Sequence, residues 1–273
     1  MMGQSVSVAG HFGELMQGRL GANGPLALIS LPCPDLCLVA TAVPAQGLSI
    51  HSRGGAPIVT PARARAFLAQ LNLRLNAKVT LAPQMPVGAG AGASTAALAS
   101  LARLAGWRGD DLALARACVS SEGASDPLML RQPAQMLWAS REGRVLARLP
   151  ALPAFDILGG FWGDGQRTDP TDLHFPDISA LLTGWEQAAK SQDLAALAKL
   201  ATTSAQATLA LRNVQNDPTA ALAARLGALG YLIAHTGSAR GLIFARNTVP
   251  QNGRAALRAA GLSRPLIFGY RGA

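Results

Sequence analysis

Lysine is almost missing from this chain of 273 residues: only Lys78, Lys190 and Lys199 occur, and the arginines are scattered singly. The net charge is +9, yet no basic run and no interleaving of aromatic with basic residues appears, and aromatics make up 5%. A nucleic-acid-binding protein usually clusters its positive charge, so no nucleic-acid partner is expected; a diffuse positive field suits a small anionic ligand instead. Cysteine is scarce as well. Cys33, Cys37 and Cys118 are odd in number and lack Cys-x-x-Cys spacing, so they read as buried free thiols of a reducing compartment. His11, His51, His174 and His235 are too dispersed to form a zinc-ligand pattern. Met1 to Gly18 has neither a positive leader nor a long apolar core, and no apolar run reaches about 18–20 residues. The expectation is a cytoplasmic protein with no membrane partner. Charged residues are only 14% and hydrophobic ones 49%, which excludes disorder and leaves ample material for a core.

What the chain does have is one unusual loop, Pro86-Val-Gly-Ala-Gly-Ala-Gly-Ala-Ser-Thr95. Gly88, Gly90 and Gly92 alternate with small residues, and an Ala/Leu-rich run free of glycine and proline follows. Glycine allows backbone angles and close approaches that side chains forbid. A helix start presents unpaired N–H groups and the positive end of a dipole. A glycine loop feeding a helix is thus a seat for phosphate, although Ser94 also suits a plain helix cap. Two familiar phosphate motifs do not fit. The Walker pattern lacks its lysine before Ser94 or Thr95, and the Rossmann pattern meets Ala93 at its third glycine.

Periodicity and turn residues order the rest as α+β. Short strands are expected at 5–9, 25–30, 36–41 and 47–51, a helix over 61–73, and a strand at 79–82 leading into the glycine loop. Helices are expected over 94–105, 110–121 and 127–138, and strands at 145–149 and 155–158. A long Gly/Asp/Pro/Thr-rich loop spans 159–177. Helices at 178–189 and 193–211 follow, then one begun by Asp217 as cap with Pro218 in its first turn. Strands at 242–245 and 265–270 flank a helix at 253–260. The order suggests two domains, 1–150 and 151–273, with a ligand site at their junction.

Three segments together carry a resemblance: Gly10-His-Phe-Gly-Glu-Leu-Met-Gln-Gly18, the glycine loop, and His235-Thr-Gly-Ser-Ala-Arg240 before a strand-like run. In this order, over nearly the whole chain, they resemble the GHMP kinase superfamily, which includes galactokinase, homoserine kinase and mevalonate kinase. Within it, Gly-Glu-Leu-Met-Gln-Gly, Met-Pro-Val, Ala-Ser-Thr-Ala and His-Thr-Gly-Ser-Ala are most similar to the L-threonine kinases of cobalamin synthesis and propanediol utilisation. The resemblance implies a two-domain fold, with a ribosomal-protein-like N-terminal α+β domain that binds ATP and a ferredoxin-like C-terminal one.

It also implies roles. Pro86, Gly88, Gly90, Gly92, Ala93, Ser94 and Thr95 would bind ATP, and Ser94 with Glu122 would hold Mg2+. Asp126 would orient or deprotonate the acceptor hydroxyl; an Asp before Pro127 also suits a helix cap. His11, Gly13, Glu14, His235, Thr236, Gly237, Ser238 and Arg240 would touch the substrate or close over phosphates, with the 159–177 loop covering the acceptor. Ala93 replaces the first serine of the family's pair, and Ala97 stands where the threonine kinases carry Asp. The acceptor implied is a small hydroxyl compound, L-threonine first, with homoserine or another alcohol and an inactive nucleotide-binding regulator as alternatives. Monomer and homodimer both remain open.

Overall fold

A computed structural model describes residues 3–54, 57–164, 169, 171–235 and 237–272. Two long strands form its centre, β1 (Gln4–Arg19) and β2 (Leu26–Pro44). The glycines and prolines that suggest short separate strands are absorbed as irregularities within them. The β1–β2 register slips between Ala9 and Gly10, and twice more between His11 and Met16. On β2 the residues 34–36 stand out between Cys33 and Cys37, which pair with consecutive residues Gly10 and Ala9. Proline has no N–H to give a ladder, so a bulge is where a strand accommodates it. These bulges lie around Gly10–Glu14.

After β3 (Ser49–Ser52), α1 (Pro61–Gln70) starts with proline in its first turn, its Arg63 amide donating to the Thr60 hydroxyl. β4 (Ala77–Pro83) leads through the glycine loop to α2 (Ala93–Leu104), and α3 (Asp111–Glu122) is capped by Asp110 and closed by Gly123 in the left-handed conformation. A hairpin of β5 (Met136–Ala139) and β6 (Arg144–Arg148) follows, then β7 (Phe155–Phe161), α4 (Ser179–Lys190) and α5 (Leu194–Leu211). The chain finishes with α6 (Thr219–Leu226), β8 (Gly230–Ile233), β9 (Ala239–Ala245), α7 (Gly253–Ala259) and β10 (Ser263–Tyr270).

The strands make one curled sheet in the order β10-β7-β9-β8-β1-β2-β4-β3, with β5 joined to β2 and β6 to β5. All neighbours are antiparallel except β3 with β4. The second half of β1 is buried on both faces, because α2 and α5 both pack on it. Alanines let α2 sit close: Ala96, Ala97, Ala99 and Ala102 have no exposed surface. The boundary expected near residue 150 falls between β6 and β7, while β8 pairs with β1 at Glu14–Ile233 and Phe12 meets Phe161 and Phe268 edge-on, each at 5.5 Å. Among the described residues no helix is long and apolar enough to cross a membrane.

Other expectations need correcting as well. No helix spans 127–138; its Leu, Met, Ala and Gln residues form turns, a single 3-10 turn at Pro133–Gln135 and strand β5. Pro133 sits inside that span, and pairing of β5 with β2 and β6 overrides local propensity. Strand β7 continues through Gly159 and Gly160 to Phe161, so the loop begins later than composition suggests; residues 165–168 and 170 within it lie outside the described set.

Asp217 does not cap α6 as its outermost residue; Pro218 holds that place. One carboxylate oxygen of Asp217 accepts from the Thr219 amide, and the other pairs with Arg240 Nε at 2.7 Å, both side chains being almost fully buried. Removing one partner of such a pair strands a buried charge. Asp217→Ala is expected to lower unfolding free energy by about 3–5 kcal/mol in urea titration; a change within error would show that the pair is not structural.

Candidate active site

The glycine loop and the start of α2 form the floor of a cleft of about 350 Å³. Gly88, Gly90 and Gly92 all have positive φ, between 71° and 82°. A Cβ on Gly90 would lie 2.8 Å from the Cα of Gly237, and one on Gly92 would meet the Leu128 and His11 side chains at 2.8 and 3.0 Å. The N-cap of α2 is Gly92, with no side chain capping the helix. Ser94 is therefore inside the first turn and not its cap. The amides of Ala93, Ser94 and Thr95 have no intrahelical partner, and all three residues line the cleft. Pro86 is not part of this lining; its carbonyl accepts from the Ala89 amide at 3.4 Å, which turns the loop.

Two hydroxyl–carboxylate pairs stand over the helix start. Ser94 Oγ donates to Glu122, the last residue of α3, which also faces Arg63 at 3.6 Å. Thr95 Oγ1 donates to Asp126 Oδ2 at 3.3 Å. Asp126 reaches this position because Gly123 ends α3 and the chain doubles back. The Ser125 amide donates to the Ser140 carbonyl at 2.9 Å, and the buried Trp138 Nε1 donates to the Ser125 carbonyl at 2.7 Å. The Asp-Pro dipeptide caps no helix.

Behind Asp126 stands His11, with Nε2 3.5 Å from Asp126 Oδ1 and Nδ1 3.4 Å from Glu14 Oε1. The Asp126 side chain is 27% exposed and open to the cleft, whereas His11 is 3% and Glu14 1% exposed. Burial opposes the imidazolium, but the Glu14 and Asp126 carboxylates outweigh it and lift the His11 pKa to about 9. Burial pushes Glu14 up to about 6 against the pull of His11. Burial also works to raise Asp126, but the charged His11, with a hydrogen bond from Thr95, holds it below the ordinary carboxylate value. At neutral pH the arrangement is a buried cation supporting an ionised Asp126.

The late glycine turn packs on the loop. Ser238 donates its amide to the Ala89 carbonyl at 3.1 Å, and a Cβ on Gly237 would lie 2.0 Å from that same oxygen. His235 lines the cleft and packs against Phe175 at 4.2 Å; burial, with Arg141 and Arg212 nearby, pulls its pKa down to about 3, so it is neutral. Thr236 lies outside the described residues. Gly13 does not line the cleft; its φ of 69° serves the bulge beside Ile233. Arg240 does not line the cleft: besides Asp217 it donates to the Gly237 and Ala239 carbonyls, which fixes the turn from behind. Arg63 and Arg141, which also line the cleft, stand in no motif, and a scattered arginine gives no signal of the cavity it enters.

Comparison with solved structures gives the fold. Phosphomevalonate kinase of Streptococcus pneumoniae superposes with a TM-score of 0.67 at 12% identity, covering 99% of this chain and 100% of that one. The L. major mevalonate kinase, solved with R-mevalonate, gives 0.67 at 12% identity over 99% and 97%. Homoserine kinase from Cytophaga hutchinsonii gives 0.61 at 14% identity over 98% and 95%. This chain has the GHMP kinase fold. No protein-family model and no curated protein matches its sequence. At such identities the likeness speaks for the fold, and activity must be argued from the site.

The electrostatics make a prediction. In the unfolded chain His11 loses its proton around pH 6.5, while in the folded protein it keeps it to about 9. Its contribution to stability is thus complete below 6.5 and lost as pH rises through 9. Glu14 titrates below this window, at about 6. Urea midpoints measured between these limits are expected to fall for the wild type and to flatten in His11→Gln. A His11 resonance titrating at its ordinary value would contradict the arrangement.

Proposed function

We propose that this chain is an ATP-dependent kinase that transfers the γ-phosphoryl group to the hydroxyl of a small molecule, L-threonine in the first instance, giving O-phospho-L-threonine. The observation that supports it most is the uncapped N-terminus of α2, with three free amides in a glycine-lined cleft beside an ionised Asp126. In this reading the amides of Ala93, Ser94 and Thr95 and the helix dipole hold the phosphates. The Ser94 hydroxyl and the Glu122 carboxylate are hard oxygen donors already side by side, a donor set that fits Mg2+. When bound, that ion would neutralise phosphate charge.

Phosphoryl transfer of this kind depends on positioning and charge neutralisation more than on covalent work by the protein. The acceptor oxygen forms the new bond to phosphorus as the bond to ADP breaks. Asp126, kept ionised by His11 and steadied by Thr95, accepts the hydrogen bond of the acceptor hydroxyl and aligns it. A carboxylate with a depressed pKa is a better aligner than proton store, so the hydroxyl proton passes to Asp126 only late, as the new P–O bond forms, and goes on from it to solvent in the cleft. Ala97 is fully buried and does not line the cleft, so its lack of a carboxylate does not argue for an inactive protein. The homoserine kinase fold neighbour keeps homoserine as the second acceptor.

ADP release with L-threonine, L-serine, L-homoserine and mevalonate tests the reading. Asp126→Asn is expected to lower kcat by about a hundredfold or more, since a lost orienting contact alone costs that much. Ser94→Ala is expected to weaken Mg2+ binding, so that half-maximal rate requires a higher Mg2+ concentration. Full rates in both variants would refute the site, and activity on another acceptor with none on threonine would refute the narrower assignment.

A further inference from the structure

Arg141 brings to the cleft a charge that no carboxylate among the described residues pairs with. It follows β5 at the turn into β6 and lines the cavity next to Ser140. Its Nη2 donates to the Asp169 carbonyl at 2.9 Å, but its Nε and Nη1 are buried with no hydrogen-bond partner among the described residues. Among the described residues no carboxylate lies within ion-pairing distance of it. Burial pulls its pKa below the ordinary value, and the longer-range influence of Asp172, Asp169 and Asp126 does not make up the difference. The other arginines of this end are spoken for: Arg212 pairs with Asp172 at 2.6 Å and Arg240 with Asp217. Neutral His235, whose ring nitrogens are both buried without partners among the described residues, adds polar capacity but no charge.

Buried cationic donors without partners are costly, and proteins keep them where a ligand completes them. The charge lies at the acceptor end. Arg141 acts on Asp126 and His235, while Glu122 at the Ser94 side has its own cation in Arg63. We infer that Arg141 anchors an anionic group of the acceptor, a carboxylate or a phosphate, and so restricts the substrate class to hydroxy acids or hydroxyalkyl phosphates. This rests on the kinase reading for the word acceptor, but the anion site itself does not require transfer to occur. Neutral sugars and simple alcohols leave Arg141 as unpaired as it is in the free protein and are discriminated against, because only an anion gains the stabilisation of pairing with it.

Calorimetric binding to the full chain, with an ATP analogue and Mg2+ present, separates these claims. The probes are L-threonine against L-threonine amide, mevalonate against mevalonolactone, and glycerol 3-phosphate against glycerol. The wild type is expected to bind at least one anionic compound and none of the neutral partners. Arg141→Gln is expected to weaken that binding by about 10–100-fold, and Arg141→Lys, which keeps the charge, to recover part of it. A preference for carboxylate or for phosphate identifies the group. Binding of neutral compounds as tight as of their anionic partners, no binding of any anion, or Arg141→Gln binding like the wild type would each overturn the proposal. ADP release distinguishes the two levels: anion binding through Arg141 without phosphoryl transfer on any acceptor would sink the kinase reading and leave the anchor standing.

Discussion

The site depends on one constraint, the immobilisation of the glycine loop by backbone from distant parts of the chain. The His11 amide donates to the Ala91 carbonyl at 3.3 Å and the Ser238 amide to the Ala89 carbonyl at 3.1 Å. Gly10, Gly90 and Gly237 allow these approaches, since a Cβ on any of them would fall within 2.0–2.8 Å of neighbouring atoms, mostly backbone. A loop of alternating glycine and alanine costs much conformational entropy to order, and these contacts offset it. The result is a helix start presented without a cap and without freedom to close on itself.

The same contacts explain why residues from both ends of the chain meet at the site. Strand β1 brings His11 and Glu14 from one side of the loop, and the turn before β9 brings His235 and Gly237 from the other. Buried charge is then arranged in layers. Glu14 and His11 lie innermost, Asp126 at the surface of the cleft, and Arg240 behind the turn with its own counterion. A buried pair such as Arg240–Asp217 adds little net stability over apolar packing, but it fixes geometry. That is the use made of it here.

Much of this was legible in the sequence, and the rest fails for identifiable reasons. The glycine loop and the helix after it announce themselves through composition. Glu122 and Asp126 are singled out through a resemblance carried by short motifs; the fold agrees with that resemblance, and both residues lie beside the start of α2. Strands β1 and β2 look interrupted because glycine and proline punctuate most sequences, whereas here bulges absorb them. The span 127–138 has helical composition, yet β5 is pinned between β2 and β6 and Trp138 holds the Asp126 segment through Ser125. Strand β8 is only four residues long and gains its identity from β1 and β9. Arg240 and Arg141 show the limit most clearly. Both are single arginines in the sequence; only packing reveals that Asp217 pairs with the first, while among the described residues no carboxylate pairs with the second.

The central claim is that the first amides of α2 grip a triphosphate. A crystal structure with a non-hydrolysable ATP analogue and Mg2+ tests it directly. The account predicts phosphate oxygens within hydrogen-bonding distance of the Ala93, Ser94 and Thr95 amides. A nucleotide bound elsewhere, with those amides in contact with solvent only, would contradict it.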